Sequence, residues 1–192
     1  GLVLLMPLAW ALLATDARAG CGGVNHVAPS KKIVRNRAPI VIGDSVLLGA
    51  MPEVAARGFE VNARGCRGWG EGHRLIWGLK HAGRLPHLVV MQLGTNWSIT
   101  VAQIRRTLKV MGPRRVLAVL TPREVGGYGG SDAAAVRAAG RRYKKQVVVL
   151  DWVKASAGKS GWFQPDGIHL TFSGARALAL FLRDARQYAS AE

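Results

Sequence analysis

The sequence predicts an α/β protein in which a five-stranded parallel sheet lies between two layers of helices. Five short segments are almost wholly apolar and rich in β-branched residues, and segments with the apolar spacing of helices alternate with them. A strand can lack polar alternation only when both of its faces are buried, as they are in a parallel sheet covered by helices on both sides. The expected architecture is therefore a three-layer α/β/α sandwich.

The five predicted strands each end at, or just before, a glycine or a polar residue. They cover residues 38–43, 59–63, 87–93, 115–120 and 146–150. Helical spacing is expected over residues 46–57, 71–82, 98–111, 132–145 and 172–190, with Ser131 as the N-cap of the fourth of these helices. The segment 152–166 contains Gly158, Gly161 and Pro165 and is expected to be irregular.

Length and composition indicate one folded domain behind a targeting segment. With 192 residues, of which 49% are apolar and 20% charged, the chain is long enough for one buried core. Residues 1–19 combine an apolar run from Leu2 to Ala14 with the cleavage pattern Ala17-Arg18-Ala19, which predicts an export signal. The run is too short to span a bilayer, so a cleaved signal is favoured over an anchor. Because no basic residues precede the run, we expect this signal to lack its first residues.

The rest of the chain divides into a surface arm, residues 20–37, and the folded domain, residues 38–192. Cys21 in the arm and Cys66 after the second strand are the two cysteines of the chain. In an oxidising compartment they can form one disulfide. Two unpaired thiols are equally compatible with the sequence, because the sequence gives no distance between them.

A net charge of +16 predicts association with polyanions. No nucleic-acid-binding module is recognisable, and the export signal points away from the cytoplasm, so nucleic acid is not expected as a partner. Anionic cell-wall polymers or a membrane surface with anionic head groups are favoured instead. Basic residues are spread along the whole chain, so a generally basic surface without a dedicated patch is an equal alternative.

Three short motifs carry residues suited to chemistry. They are Gly43-Asp44-Ser45 at the end of the first predicted strand, Gly94-Thr95-Asn96 at the end of the third, and Asp166-Gly167-Ile168-His169 before the last helix. In open α/β sheets, ligands bind beyond the carboxyl ends of the strands. We therefore expect the three motifs to meet at one rim of the sheet.

Together the motifs supply the parts needed for acyl transfer by a serine. A serine hydroxyl needs a base to take its proton and a third group to orient that base, roles that suit Ser45, His169 and Asp166. The Ser45 N–H and the Asn96 side-chain amide can donate to a developing oxyanion. Each motif alone is equally typical of a helix N-cap or a turn. The joint presence of complementary roles favours catalysis.

Through these motifs, residues 39–185 resemble the SGNH hydrolases, the superfamily of GDSL-type esterases and lipases. The resemblance implies the flavodoxin-like SGNH fold, a nucleophile at Ser45, a base and its orienting acid at His169 and Asp166, and no cofactor. It also implies an oxyanion donor at Asn96, with Gly43, Asp44 and Gly94 as supporting motif positions. A further oxyanion donor is implied in the loop after the second strand. Gly65, Arg67 and Gly68 compete for that place, and Arg67 or Gly68 is favoured.

Within this superfamily, the segments DSVLLGA at 44–50 and DGIHLT at 166–171 are most similar to the extracytoplasmic domains of bacterial cell-surface O-acyltransferases. The resemblance implies an exported serine esterase that removes small O-acyl groups, acetyl above all, from cell-envelope carbohydrate or lipid. One alternative is an O-acetyltransferase that passes the group to a cell-wall glycan hydroxyl, with a membrane acyltransferase as the acyl donor. A second alternative is a non-catalytic, basic envelope-binding domain.

Three tryptophans fall in loops next to the motifs and are candidates to stack on a sugar ring or an acyl chain. These are Trp69, Trp97 and Trp162, and core packing is an equal alternative for each. Trp77 and Trp152 are expected to be packing residues. No metal site is expected, because the histidines outside the motifs lack partners at ligand spacing; they are His26, His73, His81 and His87.

Overall fold

The computed structural model describes residues 21–29, 37–124 and 126–189. The predicted signal at residues 1–19 lies outside these residues, as does the middle of the predicted arm. The described part contains one sheet of six strands in the order β1-β3-β2-β4-β5-β6. The strands are β1 Asn25–Val27, β2 Ile40–Gly43, β3 Glu60–Ala63, β4 Leu88–Gln92, β5 Val116–Leu120 and β6 Val147–Leu150.

Seven α-helices and two short 3₁₀ helices connect or follow these strands in the described residues. The α-helices are α1 Ser45–Leu48, α2 Met51–Ala55, α3 Trp69–His81, α4 Val101–Met111, α5 Ser131–Arg142, α6 Trp152–Ala155 and α7 Phe172–Arg183. The 3₁₀ helices are Ser160–Trp162 and Asp184–Ala189. Strands β2 to β6 run parallel, so their carboxyl ends share one rim.

The two faces of the sheet are buried by different helices. One apolar cluster joins Val41 and Val90 of the strands to α1, α2 and α7. The other joins Ile42 and Met91 to α3, α4 and α5. Neighbouring residues of a strand point to opposite faces, so an all-apolar strand feeds both clusters. The predicted three-layer α/β/α architecture is confirmed.

The sheet has one strand more than the five predicted. The extra strand, β1, lies in the segment predicted to be a surface arm and pairs antiparallel with β3, with Asn25 opposite Ala63. His26 also contacts the Glu60 carboxylate on β3 at 2.9 Å. This strand has three residues, two of them polar, so it lacks the apolar run by which the other strands are recognised.

Helix bounds differ from the prediction where local capping intervenes. The helix expected over 46–57 is two short helices, α1 and α2, separated at Gly49 and Ala50. Helix α4 begins at Val101 because Thr100 and Gln103 form a reciprocal capping box. Ser131 is the first residue of α5 rather than its N-cap. The last helix ends at Arg183 and continues as a 3₁₀ helix, and the irregular segment 152–166 contains α6 and a 3₁₀ turn.

Cys21 and Cys66 form a disulfide with their Cα atoms 5.0 Å apart. Of the two alternatives left open by the sequence, the structure has the bridge. It ties the segment before β1 to the loop between β3 and α3. Within the described ranges, no helix is both long and apolar enough to cross a membrane.

Candidate active site

The structure brings Ser45, His169 and Asp166 into one hydrogen-bonded series at the carboxyl rim of the sheet. Ser45 begins α1, two residues after β2 ends, and its Oγ lies 3.0 Å from His169 Nε2. His169 Nδ1 lies 2.6 Å from Asp166 Oδ2. In this arrangement Nδ1–H donates to the carboxylate, which leaves Nε2 as the acceptor for the Ser45 proton. The series therefore has the geometry of a serine nucleophile with an oriented base.

Asp166 is held in its ionised form by its surroundings. Partial burial raises its pKa. Hydrogen bonds from the His169 ring and from the backbone amides of Ile168 and His169 lower the pKa, and together they outweigh the effect of burial. The pKa of Asp166 consequently lies below its ordinary value. Both amides donate to Oδ1 at 2.9 Å, which leaves Oδ2 to accept from the imidazole. One carboxylate oxygen thus fixes the loop and the other orients the imidazole.

Arg123 holds the loop that carries Asp166 and His169. Its Nε donates to the Gly167 carbonyl at 3.0 Å, and its Nη1 donates to Ser156 Oγ at 2.8 Å. The guanidinium also stacks on the Phe163 ring, 3.9 Å from the centroid. Sequence reasoning missed Arg123 because it follows β5, far along the chain from the residues that it contacts. Its position after a strand end was the available signal.

Asp44 fixes the turn that leads from β2 to Ser45. Its side chain is fully buried, and its Oδ1 accepts from Val46 N–H at 3.0 Å and from Gln92 Nε2 at 3.1 Å. Gln92 Oε1 in turn accepts from the Asp44 backbone N–H at 3.2 Å. Burial raises the pKa of Asp44, and the hydrogen bonds from Val46 and Gln92 offset part of that rise. Gln92, which sequence reasoning did not single out, thus fixes the turn that presents Ser45.

Two of the predicted oxyanion donors lie at this rim. The Ser45 N–H belongs to the first turn of α1, where amides have no acceptor within the helix. Asn96 is exposed in the loop that follows β4, the strand next to β2 in the sheet. Gly94 turns the chain there with φ +114°, and a Cβ on it would lie 2.7 Å from the Ile99 side chain. The loop therefore needs glycine at position 94.

The loop between β3 and α3 is held by the buried guanidinium of Arg67. It donates to the Asn62 carbonyl at 2.7 Å, to the Gly43 carbonyl at 3.2 Å and to Glu71 Oε1 at 3.1 Å. Gly68 is the N-cap of α3, and a Cβ on it would lie 2.8 Å from the Trp97 ring. The Arg67 side chain, 2% exposed, therefore joins the ends of β2 and β3.

The tryptophans separate into different roles. Trp97 is 66% exposed beside Asn96, as a ligand-stacking residue requires. Trp69 was wrongly expected in a loop: it begins α3, is 2% exposed, and donates to Thr107 Oγ1, so it packs in the core. Trp162 stacks on Trp152, 5.6 Å between centroids, which favours packing over ligand binding. Trp77 was wrongly expected to pack: it is 51% exposed on α3, beside the His81 ring.

A cleft of about 340 Å³ is lined by residues of the loop that follows β4 and by Ile168. Asn96, Trp97, Tyr128 and Asp132 are among the residues that line it. A larger cavity of about 490 Å³ lies between β6 and the C-terminal 3₁₀ helix and includes none of the motif residues. In the described part of the chain no three His, Cys, Asp or Glu residues are grouped as metal ligands. The cleft of about 340 Å³ thus joins the Asn96 loop to Ile168, the residue before His169.

The fold is shared with enzymes of known structure. No protein-family model matches the chain. The structure superposes on a lipase/acylhydrolase from Enterococcus faecalis with a TM-score of 0.56 and 19% identity, covering 78% of this chain and 95% of that one. The fold is therefore shared with this acylhydrolase, as the resemblance seen in the sequence predicts.

The more specific resemblance is to O-acetyltransferases. The C-terminal catalytic domain of Streptococcus pneumoniae peptidoglycan O-acetyltransferase A superposes with a TM-score of 0.69 and 20% identity, covering 80% of this chain and 94% of that one. O-acetyltransferase OatA of Staphylococcus aureus (strain NCTC 8325 / PS 47) is 28% identical over 158 residues, 80% of this chain. The chain spans 26% of that relative's length.

Proposed function

We propose that this chain is an SGNH-type acyl-transfer enzyme that forms an acyl ester on Ser45 and passes the acyl group, acetyl above all, to or from hydroxyls of cell-envelope carbohydrate. The observation that carries the proposal is the Ser45–His169–Asp166 series, with contacts of 3.0 and 2.6 Å. Neither contact is expected of a helix N-cap or a turn, the alternative roles of these motifs.

In the first half-reaction, Ser45 Oγ attacks the carbonyl carbon of the acyl donor while His169 Nε2 takes the hydroxyl proton. Negative charge develops on the carbonyl oxygen, which accepts hydrogen bonds from the Ser45 N–H and the Asn96 side-chain amide. When the tetrahedral intermediate collapses, the bond to the leaving oxygen breaks and His169 returns the proton to that oxygen. The acyl group then remains on Ser45.

In the second half-reaction, His169 takes the proton of an acceptor hydroxyl, whose oxygen attacks the acyl-serine. Collapse of the second intermediate releases Ser45 Oγ, and His169 gives the proton back to it. A sugar hydroxyl as acceptor gives O-acyl transfer, and water gives hydrolysis. The chemistry on the protein is the same in both cases.

Transfer to a glycan hydroxyl is supported by the relatives, which carry the names of O-acetyltransferases. The exposed Trp97 indole beside the cleft supports it as well, because a flat aromatic face suits a sugar ring. A membrane acyltransferase as the source of acyl groups is part of the same proposal. The sequence alone placed hydrolysis first, and the relatives move transfer ahead of it.

Hydrolysis is the second candidate, and one observation favours it. The His169 side chain is 37% exposed and Asp166 is 44% exposed, so water reaches the base directly. Transfer requires that a bound sugar hydroxyl displace this water. An esterase acting on acetylated envelope carbohydrate or lipid needs no such exclusion.

Action outside the cytoplasm is part of the proposal. It is supported by the predicted export signal, by the Cys21–Cys66 disulfide and by the peptidoglycan O-acetyltransferase named among the relatives. The net charge of +16 supports association with anionic cell-wall polymers or a membrane surface rather than with nucleic acid. Such association is expected to weaken with salt, because exposed charges are screened.

The first experiment measures turnover of 4-nitrophenyl acetate by the purified protein and by Ser45→Ala. The variant is expected to lose turnover to the background rate. Ser160→Ala is the matched control, because Ser160 is exposed outside the motifs. Turnover that survives in Ser45→Ala, or no turnover in the parent protein, would favour the non-catalytic envelope-binding alternative.

The second experiment measures how the acyl group is partitioned. With an acetyl donor and a soluble peptidoglycan fragment as acceptor, mass spectrometry follows acetyl on the glycan while acetate release is followed in parallel. Transfer predicts acetylated glycan that depends on Ser45 and rises with acceptor concentration. Acetate alone, at every acceptor concentration, would support the esterase instead.

A further inference from the structure

Basic residues are concentrated at the amino-terminal rim of the sheet, opposite the rim that carries Ser45. Because β4, β5 and β6 run parallel, the turns that follow α3, α4 and α5 all lie at that rim. These turns and the last turns of the three helices contain nine basic residues. They are Lys80, Arg84, Lys109, Arg114, Arg115, Arg141, Arg142, Lys144 and Lys145, and we call the surface that they form the basic rim.

Hydrogen bonds between neighbouring turns make the basic rim one continuous surface. Lys80 Nζ at the end of α3 donates to the Met111 carbonyl at the end of α4, at 3.5 Å. Gln146 Nε2, in the turn after α5, donates to the Gly112 carbonyl at 2.9 Å and to the Arg115 carbonyl at 3.4 Å. The three turns are therefore in direct contact with one another.

Carboxylates do not neutralise the basic rim. Residues 72–123 and 133–150 contain no Asp or Glu. All of the nine cations except Lys80 and Arg115 are exposed, and no ion pair of the described residues includes any of the nine. Six carboxylates lie instead in the segments that follow the carboxyl ends of the strands. They are Asp44, Glu71, Glu124, Asp132, Asp151 and Asp166. The two rims of the sheet therefore differ in charge.

Stabilisation of helix ends explains only part of this charge. Cations in the last turn of a helix offset the partial negative charge of its free carbonyls. This effect accounts for the basic residues inside α3, α4 and α5. It does not account for the exposed cations in the turns beyond the helices, which are Arg84, Arg114, Lys144 and Lys145. A surface of like charges without counter-charges favours an anionic partner.

Two features of the basic rim favour a lipid surface over a soluble anionic polymer. Trp77 lies on α3 three residues before Lys80 and is 51% exposed. An indole suits the boundary between head groups and acyl chains, whereas a hydrophilic polymer offers it no apolar layer. A hollow of about 390 Å³ gives space for a phosphate head group. It is lined by Arg142, Tyr143, Lys144, Lys145 and Gln146.

We propose that the basic rim binds the surface of a membrane that contains anionic lipids, with Trp77 at the level of the head groups. The proposal rests on the association with an anionic surface proposed above, and it names the residues that bind and selects lipid as the partner. Strands rise about 3.3 Å per residue, so strands of four or five residues hold Ser45 on the order of 15 Å from the basic rim. The Ser45 rim then faces away from the membrane, toward carbohydrate outside it.

The first test measures sedimentation of the purified protein with vesicles. Binding is expected with mixed phosphatidylglycerol and phosphatidylcholine, and not with phosphatidylcholine alone. The triple variant Arg114→Gln/Lys144→Gln/Lys145→Gln is expected to bind the anionic vesicles about 100-fold more weakly, because each basic residue near a lipid surface contributes separately. Binding to soluble polyphosphate without binding to anionic vesicles, at the same ionic strength, would overturn lipid as the partner.

The matched control removes the same charge from the other end of the molecule. Lys154, Lys159 and Arg176 are exposed in segments that follow the carboxyl end of β6. The variant Lys154→Gln/Lys159→Gln/Arg176→Gln is expected to bind anionic vesicles as the parent does. An equal loss in the two triple variants would show that the whole basic surface binds, and would overturn the role of the basic rim.

Tryptophan fluorescence tests the orientation. Vesicles are expected to shift the emission of the parent to shorter wavelength, with the shift lost in Trp77→Phe and kept in Trp97→Phe, since Trp97 lies at the opposite rim. A shift that is lost in Trp97→Phe instead would overturn the orientation. Ser45→Ala is expected to bind vesicles as the parent does. Vesicle binding without turnover would thus overturn the acyl-transfer function alone, and turnover without vesicle binding would overturn this inference alone.

Discussion

His169 Nε2 lies 3.0 Å from Ser45 Oγ, although the two residues are 124 positions apart in the chain. The contact exists because Ser45 follows β2 at the carboxyl rim and the segment before α7 returns His169 to the same rim. Asp166, three residues before His169, contacts the other ring nitrogen, Nδ1, and orients the ring. One long-range contact and one local pair thus assemble the proposed site.

Replacing Asp166 with Asn is expected to lower kcat/KM for 4-nitrophenyl acetate by about 10⁴-fold. The amide keeps the shape of the carboxylate but removes the charge that stabilises the imidazolium and selects its tautomer. Steady-state kinetics measure the effect, and Asp184→Asn, at an exposed carboxylate on the 3₁₀ helix after α7, is the matched control. Similar losses in both variants would contradict a specific role for Asp166.

The acid limb of the pH–rate profile is expected to report one protonation. Because the pKa of Asp166 is lowered, its carboxylate remains ionised in mild acid and continues to orient the imidazole of His169. Protonated imidazole cannot accept the Ser45 proton, so kcat/KM falls as pH falls, with a slope of one on logarithmic axes. Stopped assays across pH 4 to 8 measure this slope. A flat profile would contradict the base role of His169.

Replacing Asp44 with Asn is expected to change how stability depends on pH. Burial raises the pKa of Asp44 in the folded state above its unfolded value, so ionising it costs folding free energy as pH rises through that window. Asn carries no such charge, so the free energy of unfolding of the variant relative to the parent is expected to rise with pH. The rise is at most about 1.4 kcal/mol per pH unit between the unfolded-state and folded-state pKa of Asp44. Urea unfolding at several pH values measures the difference, and a pH-independent difference would contradict the raised pKa.

Replacing Arg67 with Lys is expected to destabilise the fold by about 1–3 kcal/mol. Lysine has one ammonium group where the guanidinium bonds the Gly43 and Asn62 carbonyls and Glu71 together, so buried acceptors lose their donors. Denaturant unfolding measures the loss. Arg141→Lys on the exposed face of α5 is the control and is expected to change stability by less than about 0.5 kcal/mol. Equal stability of the two variants would show that the Arg67 contacts contribute little.

The sequence was sufficient for the features that local chemistry determines. The apolar runs of β2 to β6 and the motif residues at strand ends follow from patterns within a few positions, and the sheet then brings Ser45 and Asn96 to one rim. β1 could not be recognised, because a strand of three residues with two polar side chains depends on its partner β3.

Polar contacts between residues far apart in the chain also could not be predicted from the sequence. Gln92 contacts Asp44 across 48 positions, and Arg123 contacts Gly167 across 44. Neither residue belongs to a motif, so only the folded chain shows that they hold Ser45 and His169 in place. The disulfide and the positive φ of Cys66 likewise depend on where the segment before β1 meets the sheet.

The most direct test of the acyl-serine chemistry is mass spectrometry of the protein after treatment with a fluorophosphonate probe. We predict one adduct, on the peptide that contains Ser45, with labelling abolished in Ser45→Ala and strongly slowed in His169→Ala. An unlabelled Ser45 in folded protein, or labelling that proceeds equally without His169, would contradict the proposed mechanism.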